Sequence, residues 1–311
     1  MASLSVVIPT FNRATILEKV LRGFVEQDNS TAIGELIVVD DGSSDETPAV
    51  TESFIKFVPF PVRYLCQDNR GPAAARNYGT REARHEIVLF VDDDVEPQRS
   101  LIRRHASWHK DHHSDTDALL GYVTWAPEVN ATPFMKWYGE KGALFAYSLL
   151  VPNAQVDFRR LYTCNVSFKR RFLLENGCFD EDFKDAAYED FELAYRLHQK
   201  GLTLFYDSLA VGFHHQRFTF RDACCRAERV ASGYKILVGK QAFHALPVKR
   251  GIATTMAKIL LRVAAPMLAP FRSALDSRIR FPDWIYRAFY SSYADQALRR
   301  AINLARTPGT P

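Results

Sequence analysis

The stretch EIVLFVDDD, residues 86–94, is an apolar run that ends on three consecutive aspartates. An apolar run without polar alternation is typical of a strand that is buried on both faces. A helix cap uses one acid and gains nothing from three, so the aspartates favour metal or nucleotide binding. Residues 86–91 are therefore predicted to form a buried strand with a functional site at its carboxyl end.

Apolar runs of the same kind alternate with helical patterns on the N-terminal side of this stretch. The predicted strands are Leu4–Pro9, Glu35–Asp40, Val62–Cys66 and Glu86–Val91. The predicted helices are Ala14–Asp28, a helix whose turn, N-cap and first-turn residues come from 41–48, and Pro72–Ala83. This alternation predicts βαβ units, and we expect an α/β fold with a mixed, mainly parallel sheet flanked by helices.

The pattern that follows residue 94 is less regular. It predicts strands at Ala118–Thr124 and Tyr162–Lys169, helices at Arg170–Asn176 and Glu189–Gln199, and one long strand or a strand pair at Leu202–Phe213. Residues 125–160 are rich in aromatic side chains interrupted by proline and glycine, and we expect a long functional loop there. Beyond Arg226 the pattern is helical.

Composition and charge exclude several classes of protein. With 311 residues and 47% hydrophobic content, the chain can bury a core and is not disordered. A net charge of +4 argues against a nucleic-acid-binding protein. The charge is unevenly spread, because residues 247–311 hold eleven basic and three acidic side chains, about +8 net, and the preceding residues are about -4.

The cysteines and the N-terminal residues bear on cellular location. Five cysteines without CxxC spacing favour neither a disulfide framework nor a structural zinc site. The N-terminus runs directly into a strand pattern without the features of a secretory signal. We therefore expect a reducing, cytoplasmic location.

Three acidic clusters follow predicted strands or begin a predicted helix. They are Asp40-Asp41, residues 92–94, and Glu189-Asp190. Each alone is compatible with an ordinary turn, cap or helix-dipole role. Acids that follow neighbouring parallel strands converge on one crevice, and grouped carboxylates suit Mg²⁺ or Mn²⁺. The clusters together therefore predict a divalent-cation site.

Six segments in order carry a resemblance to a known family. They are SVVIPTFNR (5–13), ELIVVDDGSSDET (35–47), QDNRGPAAARNYG (67–79), IVLFVDDDVEP (87–97), CNVSFKRRFLLENGCFDEDF (164–183) and YEDFELAYRLHQKG (188–201), followed by His214-His215. From about Leu4 to His215 the chain resembles the GT-A fold glycosyltransferases of family 2. The resemblance implies a GT-A (Rossmann-like) fold and transfer of a sugar, with inversion, from a nucleotide-diphosphate sugar, UDP-sugar above all.

The resemblance also implies roles for individual residues in binding the donor. Pro9, Thr10 and Arg13 would lie beside the nucleobase, and either Asp40 or Asp41 would accept a hydrogen bond from it. Arg76 would approach the pyrophosphate. The DxD element would supply two further donor-binding residues. Asp92 would lie near the ribose, and Asp93 would lie close by.

Metal binding and catalysis are assigned by the same resemblance. Asp94 would bind Mn²⁺ or Mg²⁺, together with His214 or His215, and the sequence leaves open which histidine faces the site because adjacent strand residues point to opposite faces. Asp190 would be the catalytic base and Glu189 would hold a sugar or acceptor hydroxyl. An exchange of these last two roles remains open.

The domain division follows from the resemblance and the charge pattern. Residues 1–225 are predicted to form the GT-A catalytic domain, with a nucleotide-binding half (1–97) and an acceptor-binding half (98–225), and residues 226–311 a basic helical extension. Charged and proline residues interrupt Ala253–Phe271 too often for a bilayer span. The extension fits peripheral contact with the inner face of the plasma membrane, and packing on the enzyme body or on a second subunit of a homodimer fits equally.

The acceptor is expected to be a glycan or a lipid-linked molecule in polysaccharide or glycolipid biosynthesis. Two other functions remain open, a nucleotidyltransferase and a non-catalytic module that binds nucleotide sugars or glycans. The first lacks a glycine-rich triphosphate loop after its first strand, and the second would not need the acids and late histidine that are present. A Rossmann dehydrogenase is excluded, because no GxGxxG follows a strand.

Overall fold

The computed structural model of the chain describes residues 3–245 and 272–306. These residues divide into two compact units. The first lies within Met1–Val129 and Leu150–Gln216, and the second within Asn130–Leu149 and Arg217–Pro311. The predicted functional division into 1–225 and 226–311 concerns activity and stays a prediction.

The first unit is built on one mixed sheet. Its strands are β1 (Leu4–Thr10), β2 (Ile33–Asp40), β3 (Val62–Cys66), β4 (Ile87–Val91), β5 (Val95–Pro97), β6 (Asp117–Trp125), β7 (Ala154–Val156), β8 (Asn165–Lys169) and β9 (Thr203–His214). The order is β3-β2-β1-β4-β8-β6-β9-β5, with β7 also paired to β9. Strands β1 to β4 run parallel, and β8 enters antiparallel between β4 and β6.

The helices of the described residues are, in chain order, α1 (Ala14–Val25), α2 (Thr47–Ile55), α3 (Pro72–Glu82), α4 (Leu101–Asp111), α5 (Pro133–Glu140), α6 (Arg170–Glu175), α7 (Glu189–Gln199), α8 (Phe220–Val238), α9 (Arg272–Leu275) and α10 (Asp283–Arg306). Every residue of β1 and β4 is buried, as the unbroken apolar runs predict for strands covered on both faces. The predicted α/β class with a mixed, mainly parallel sheet flanked by helices is confirmed.

Residues 125–160 correct the sequence prediction. They were expected to form a long loop, but α5 lies within them and buries Phe134, Trp137 and Tyr138. These aromatic residues recur at helical spacing and therefore form one face. Pro133 is the first helical residue, where its missing amide costs nothing, and the Thr132 hydroxyl accepts the Met135 amide at 3.2 Å. The proline begins a helix there and does not break one.

The second unit is helical in the part of the chain that the structure describes. Helix α8 begins with a capping box in which the side chains of Thr219 and Asp222 each accept the other's backbone amide. Phe134 of α5 packs on Tyr286 of α10, with ring centroids 5.9 Å apart. Ala253–Phe271, which the sequence predicts not to span a bilayer, lie outside the described residues. Among the described residues no helix is long and apolar enough to cross a membrane.

Candidate functional site

The three aspartates after β4 lie in a tight turn that leads into β5. The carbonyl of Asp92 accepts the Val95 amide at 3.0 Å. Asp93 and Asp94 are buried, whereas the Asp92 side chain is 32% exposed. Because β4 lies beside β1 in parallel register, the carboxyl ends of the two strands meet, as predicted.

The residues that follow β1 contact these aspartates directly. The Thr10 hydroxyl donates to Asp93 Oδ2 at 2.8 Å, and Arg13 Nη1 donates to Asp94 Oδ2 at 2.6 Å. Burial and the neighbouring Asp94 raise the pKa of Asp93 to about 7. Burial also acts to raise the pKa of Asp94, but His214 and Arg13 outweigh it and the net shift is downward. Asp94 is thus the ionised member of the pair at neutral pH.

Asn12 holds the loop that follows β1 in place, and the sequence analysis did not single it out. Its backbone adopts the left-handed conformation, with φ of 53°, which asparagine tolerates better than most residues. Its side-chain oxygen accepts the Ser44 amide at 2.8 Å, and its own amide donates to the Ser43 hydroxyl at 2.8 Å. Asn12 thereby links the loops that follow β1 and β2. Its position just after a strand end was the only signal.

The acid pair at the end of β2 is hydrogen-bonded within the protein. The Asp40 carboxylate is fully buried and accepts the Ser43 amide at 2.8 Å and the Tyr64 hydroxyl at 2.6 Å. The Asp41 carboxylate accepts the backbone amides of Arg70 and Gly71, each at 2.8 Å. Both acids therefore have a structural use, as the ordinary turn interpretation predicts, and Asp41 fixes the loop that leads into α3.

Arg76 on α3 connects two of the acidic clusters. It is buried, with Nη2 2.9 Å from Asp92 Oδ1 and Nη1 3.5 Å from Glu189 Oε1. Gly71, with φ of 92°, precedes the helix, and a Cβ there would collide with the Lys184 carbonyl. The guanidinium thus reaches carboxylates on both sides of the crevice, which a surface arginine on a helix would not do.

The third cluster lies at the start of α7. Glu189 Oε2 accepts the Ala187 amide at 2.7 Å. Asp190 accepts two hydrogen bonds from Thr163, one from the hydroxyl at 2.8 Å and one from the amide at 3.1 Å. Burial and the neighbouring Asp190 raise the pKa of Glu189 to about 7, against the opposing effect of Arg76. Burial raises the pKa of Asp190 as well, and Arg76 and Thr163 oppose the rise.

The two late histidines face different partners. His214 Nε2 lies 3.7 Å from Asp94 Oδ1, and His214 Nδ1 accepts the Gln216 amide at 3.2 Å. His215 Nε2 lies 2.6 Å from Glu96 Oε2, and its Nδ1 lies 3.3 Å from Glu128 Oε1. The structure thus brings His214 to the Asp94 side of the strand. His215, Glu96 and Glu128 present ligand atoms within 4.8 Å of one another.

A cavity of about 390 Å³ opens beside these groups, at the start of α1. Its lining includes Arg13, Asp45, Asp94, His215 and Gln216. Residues 92–94, 189 and 190 supply five carboxylates around the guanidinium groups of Arg13 and Arg76, and Asp40 and Asp41 add two more at the end of β2. Burial is the main cause of the raised pKa values of Asp93, Glu189 and Asp190, and neighbouring carboxylates add to it. Oxygen donors are the ligands that Mg²⁺ and Mn²⁺ prefer. The donor set fits a divalent cation.

Most predicted site residues come together in the first unit. Thr10 and Arg13 contact Asp93 and Asp94, and Arg76 contacts Asp92 and Glu189. Pro9 is the penultimate residue of β1, in register with Val39 of β2. Thr163 contacts Asp190 and was not singled out from the sequence.

Comparison with known proteins identifies relatives. Residues 5–136 match the family model described as Glycosyl transferase family 2. Validoxylamine A glucosyltransferase of Streptomyces hygroscopicus subsp. jinggangensis (strain 5008) is 29% identical over 238 residues, covering 69% of this chain and 56% of the relative. The chain thus spans about half the length of this relative. A GalNAc(5)-diNAcBac-PP-undecaprenol beta-1,3-glucosyltransferase of Campylobacter jejuni is 40% identical over 98 residues, 31% of each chain.

Solved structures show the same fold. The mannosyltransferase PcManGT from Pyrobaculum calidifontis, in complex with GDP-Man and Mn²⁺, aligns with a TM-score of 0.57 at 20% identity, covering 100% of this chain and 76% of the other. Residues 1–349 of Staphylococcus aureus TarS, in complex with UDP-GlcNAc, align with a TM-score of 0.53 at 18% identity, covering 97% and 92%. At such identity the likeness concerns the fold alone.

Proposed function

We propose that this chain, whose residues 5–136 match the glycosyltransferase family 2 model, transfers a sugar from a nucleotide-diphosphate sugar to a hydroxyl of a glycan or lipid-linked acceptor. One observation carries the proposal. Arg76 pairs with Asp92 after β4 and with Glu189 at the start of α7, so the predicted donor-binding and catalytic acids surround one crevice.

The donor would bind at the carboxyl ends of β1, β2 and β4. Thr10 and Arg13 would lie beside the base, and Pro9 would shape the end of β1. Asp40 and Asp41 are both buried and hydrogen-bonded within the protein, so we propose that one of the two accepts the hydrogen bond from the base. A UDP-sugar is the proposed donor. UDP-GlcNAc bound to TarS and GDP-Man bound to PcManGT support the broader class of nucleoside-diphosphate sugars.

Asp94 and His214 would hold the divalent cation, with Asp93 nearby. Bound there, the ion would stabilise negative charge on the departing diphosphate. Arg13, in contact with Asp94, would keep that carboxylate ionised. His215 faces Glu96 and Glu128, so its predicted role in metal binding is less direct. The neighbouring structures in complex with Mn²⁺ support a divalent ion, and either Mn²⁺ or Mg²⁺ would fit the donor set.

Asp190 would act as the general base. The acceptor oxygen would form a bond to the anomeric carbon while the bond from that carbon to the diphosphate oxygen breaks on the opposite face, so the configuration inverts. Asp190 would take the hydroxyl proton, and Glu189 would hold a sugar or acceptor hydroxyl. Arg76 would hold Asp92 and Glu189 in position and would place positive charge near the pyrophosphate.

A ligand screen tests this proposal. The thermal midpoint of the full chain would be measured with UDP-, GDP- and dTDP-sugars, each with and without Mn²⁺. A ligand that binds only the folded state raises the midpoint, so a metal-dependent rise with one donor class is expected. Absence of a response to every donor would contradict a glycosyltransferase and favour a protein that binds glycans only.

Attachment to a membrane is the proposed role of the second unit. In that unit a cavity of about 310 Å³ is lined by three basic side chains, three aromatic ones and two acids, of which Asp283 pairs with Lys141 at 2.9 Å. Trp284 nearby in the chain is 67% exposed. Cationic and aromatic side chains in this combination suit an anionic lipid surface, which would place the enzyme at the inner face of the plasma membrane beside a lipid-linked acceptor.

Vesicle binding separates this role from dimer formation. Wild-type chain and a variant with Lys136→Glu and Trp284→Ala would be sedimented with phosphatidylglycerol vesicles and with phosphatidylcholine vesicles. Weaker binding of the variant to the anionic vesicles alone is expected. Equal binding of both proteins, with a concentration-dependent dimer in solution, would assign the surface to a second subunit.

A further inference from the structure

Both carboxylate oxygens of Asp190 receive a hydrogen bond from the same residue. The Thr163 hydroxyl donates to Oδ1 at 2.8 Å, and the Thr163 amide donates to Oδ2 at 3.1 Å. Thr163 is buried and lies two residues before β8, whereas Asp190 lies in the first turn of α7. Two donors from one residue fix both the position and the plane of a carboxylate.

The segment that carries Thr163 is itself firmly held. Asn165, the first residue of β8, pairs with Val91, the residue that precedes Asp92. The Asn165 side chain also bonds His105 of α4 at 3.0 Å and the Ala210 carbonyl of β9 at 2.9 Å. Thr163 therefore ties Asp190 to the strand whose end carries the predicted donor-binding aspartates.

We propose that Thr163 is a positioning residue for Asp190, holding the carboxylate in one orientation and in its ionised form for proton transfer from the acceptor hydroxyl. This inference rests on the proposed function, because it concerns the base of that reaction. Thr163 itself does not exchange a proton with substrate. The Thr163 hydroxyl acts by holding the Asp190 carboxylate. The backbone amide of residue 163 would still donate to that carboxylate after the side chain is replaced.

Several charged or titratable groups face Asp190. The Thr163 hydroxyl opposes those that raise the pKa of Asp190. Burial raises the pKa of Asp190. Arg76 of α3 and the two Thr163 donors lower it, whereas Asp92 raises it. Glu189 of α7, and Tyr162 and Cys164 on the segment of Thr163, complete the set. Removal of the hydroxyl leaves the carboxylate with fewer donors to its charged form, so its pKa must rise.

The test compares Thr163→Val with Thr163→Ser in the full chain. Selective ¹³C labelling of aspartate carboxyls, with Asp190→Asn to assign the signal, gives the pKa of Asp190 by NMR without any need for turnover. In Thr163→Val we expect the Asp190 pKa, and the acid limb of the kcat profile, to move upward by about one pH unit. Thr163→Ser keeps the hydroxyl and should titrate like wild type.

Thr51→Val is the matched control, because Thr51 is also buried and its hydroxyl bonds the Thr47 carbonyl on α2, at 3.0 Å. It should leave the Asp190 pKa unchanged. Should Thr163→Val not fold, Thr163→Ala removes the same hydroxyl with less strain. The inference is overturned if valine, or that alanine replacement, titrates at Asp190 like wild type, or if serine behaves like valine.

The outcome is separable from the fate of the proposed function. If Asp190→Asn keeps wild-type turnover, Asp190 is not the base and the proposed mechanism fails, whereas the NMR titration still decides whether Thr163 controls its ionisation. If Asp190→Asn is inactive and Thr163→Val lowers kcat without moving the pH profile or the Asp190 pKa, the mechanism stands and the role of Thr163 is merely structural.

Discussion

Two buried clusters of titratable groups in the first unit handle charge in opposite ways. The first cluster is the candidate site, with its aspartates, Glu189 and two arginines. The second lies between α4 and β8, where Ser167 Oγ is 2.8 Å from both His105 Nδ1 and His109 Nε2, and His105 Nε2 is 3.0 Å from Asn165 Oδ1. Burial lowers the pKa of His105 to about 4 and that of His109 to about 2.

The comparison shows how burial affects titratable groups that have no proposed function. The histidines are neutral at physiological pH, and hydroxyl and amide partners bond both ring nitrogens of His105 and Nε2 of His109. His109 Nδ1 is buried without a partner among the described residues. The site keeps an excess of carboxylates in contact, at a cost in free energy that a bound cation or substrate would offset. An excess of buried carboxylates, which packing of the fold alone does not require, therefore indicates the candidate site.

The largest effect is expected from Asp190→Asn, which removes the proposed base and leaves the shape of the site intact. Turnover should fall by about 10²–10⁴-fold with donor binding retained, because general-base catalysis contributes a factor of this size. Steady-state kinetics and donor titration measure the two separately. Exposed Asp185→Asn, near the start of α7, is the control, and wild-type turnover in Asp190→Asn would end the assignment.

A somewhat smaller effect is expected from Asp94→Asn. Loss of the ionised carboxylate should weaken Mn²⁺ binding and lower turnover by about 100-fold, since the ion stabilises transition-state charge by several kcal/mol. Calorimetric titration with Mn²⁺ and assays after chelation would measure both. Asp111→Asn, on the exposed end of α4, should bind Mn²⁺ as wild type does. Unchanged Mn²⁺ affinity in Asp94→Asn would move the metal site elsewhere.

The third prediction concerns the buried histidine cluster and the pH dependence of the free energy of unfolding in His109→Leu. The folded-state pKa of His109 is below its unfolded value, so its contribution to stability is present above about pH 6.5 and is lost as pH falls. Between pH 6.5 and pH 5 the wild-type chain should lose about 2 kcal/mol through this residue. Urea unfolding should show a smaller loss in His109→Leu than in wild type or in exposed His113→Asn, by about that amount, because His105 still contributes its own loss.

Glu189→Gln should give the smallest effect. Glu189 lowers stability as pH rises, whereas His109 lowers it as pH falls. The folded-state pKa of Glu189 is raised to about 7, so the wild-type chain loses stability as pH rises from about 4.5 towards 7. Between pH 5 and pH 6 the variant should gain about 1 kcal/mol over wild type, because the effect of Arg76 is already part of the Glu189 pKa. Exposed Glu18→Gln on α1 should show no such gain, and an equal gain in both would refute this assignment.

Much of the fold was predictable because its signals are local. Strand β3 and helix α7 were predicted to the residue, since an apolar run between turns and a first turn of acids are read directly from neighbouring positions. Helix α4 was not predicted, and α5 was mistaken for loop. The Pro133 signal was ambiguous, because proline both begins and breaks helices, and the choice depends on packing of the aromatic face.

The candidate site shows the same limit. The three acidic clusters could be found because carboxylates repeat at strand ends, but the roles of Asn12 and Thr163 depend on partners about 30 residues away in the chain. The two histidines show it most clearly. Their sequence says only that adjacent residues point to opposite sides, and the position of Asp94 and Glu96 decides which histidine meets which acid.

The sequence by itself determined the α/β class, the order of most elements and the acids that form the site, because periodicity and local turn chemistry act over a few residues. Only the tertiary structure decided that Arg76 joins two acidic clusters, that Asp40 is enclosed whereas Asp41 holds a loop, and that Thr163 holds Asp190. Such contacts join strand ends and helix starts far apart in the chain, and their distances and burial exist only after the sheet has formed.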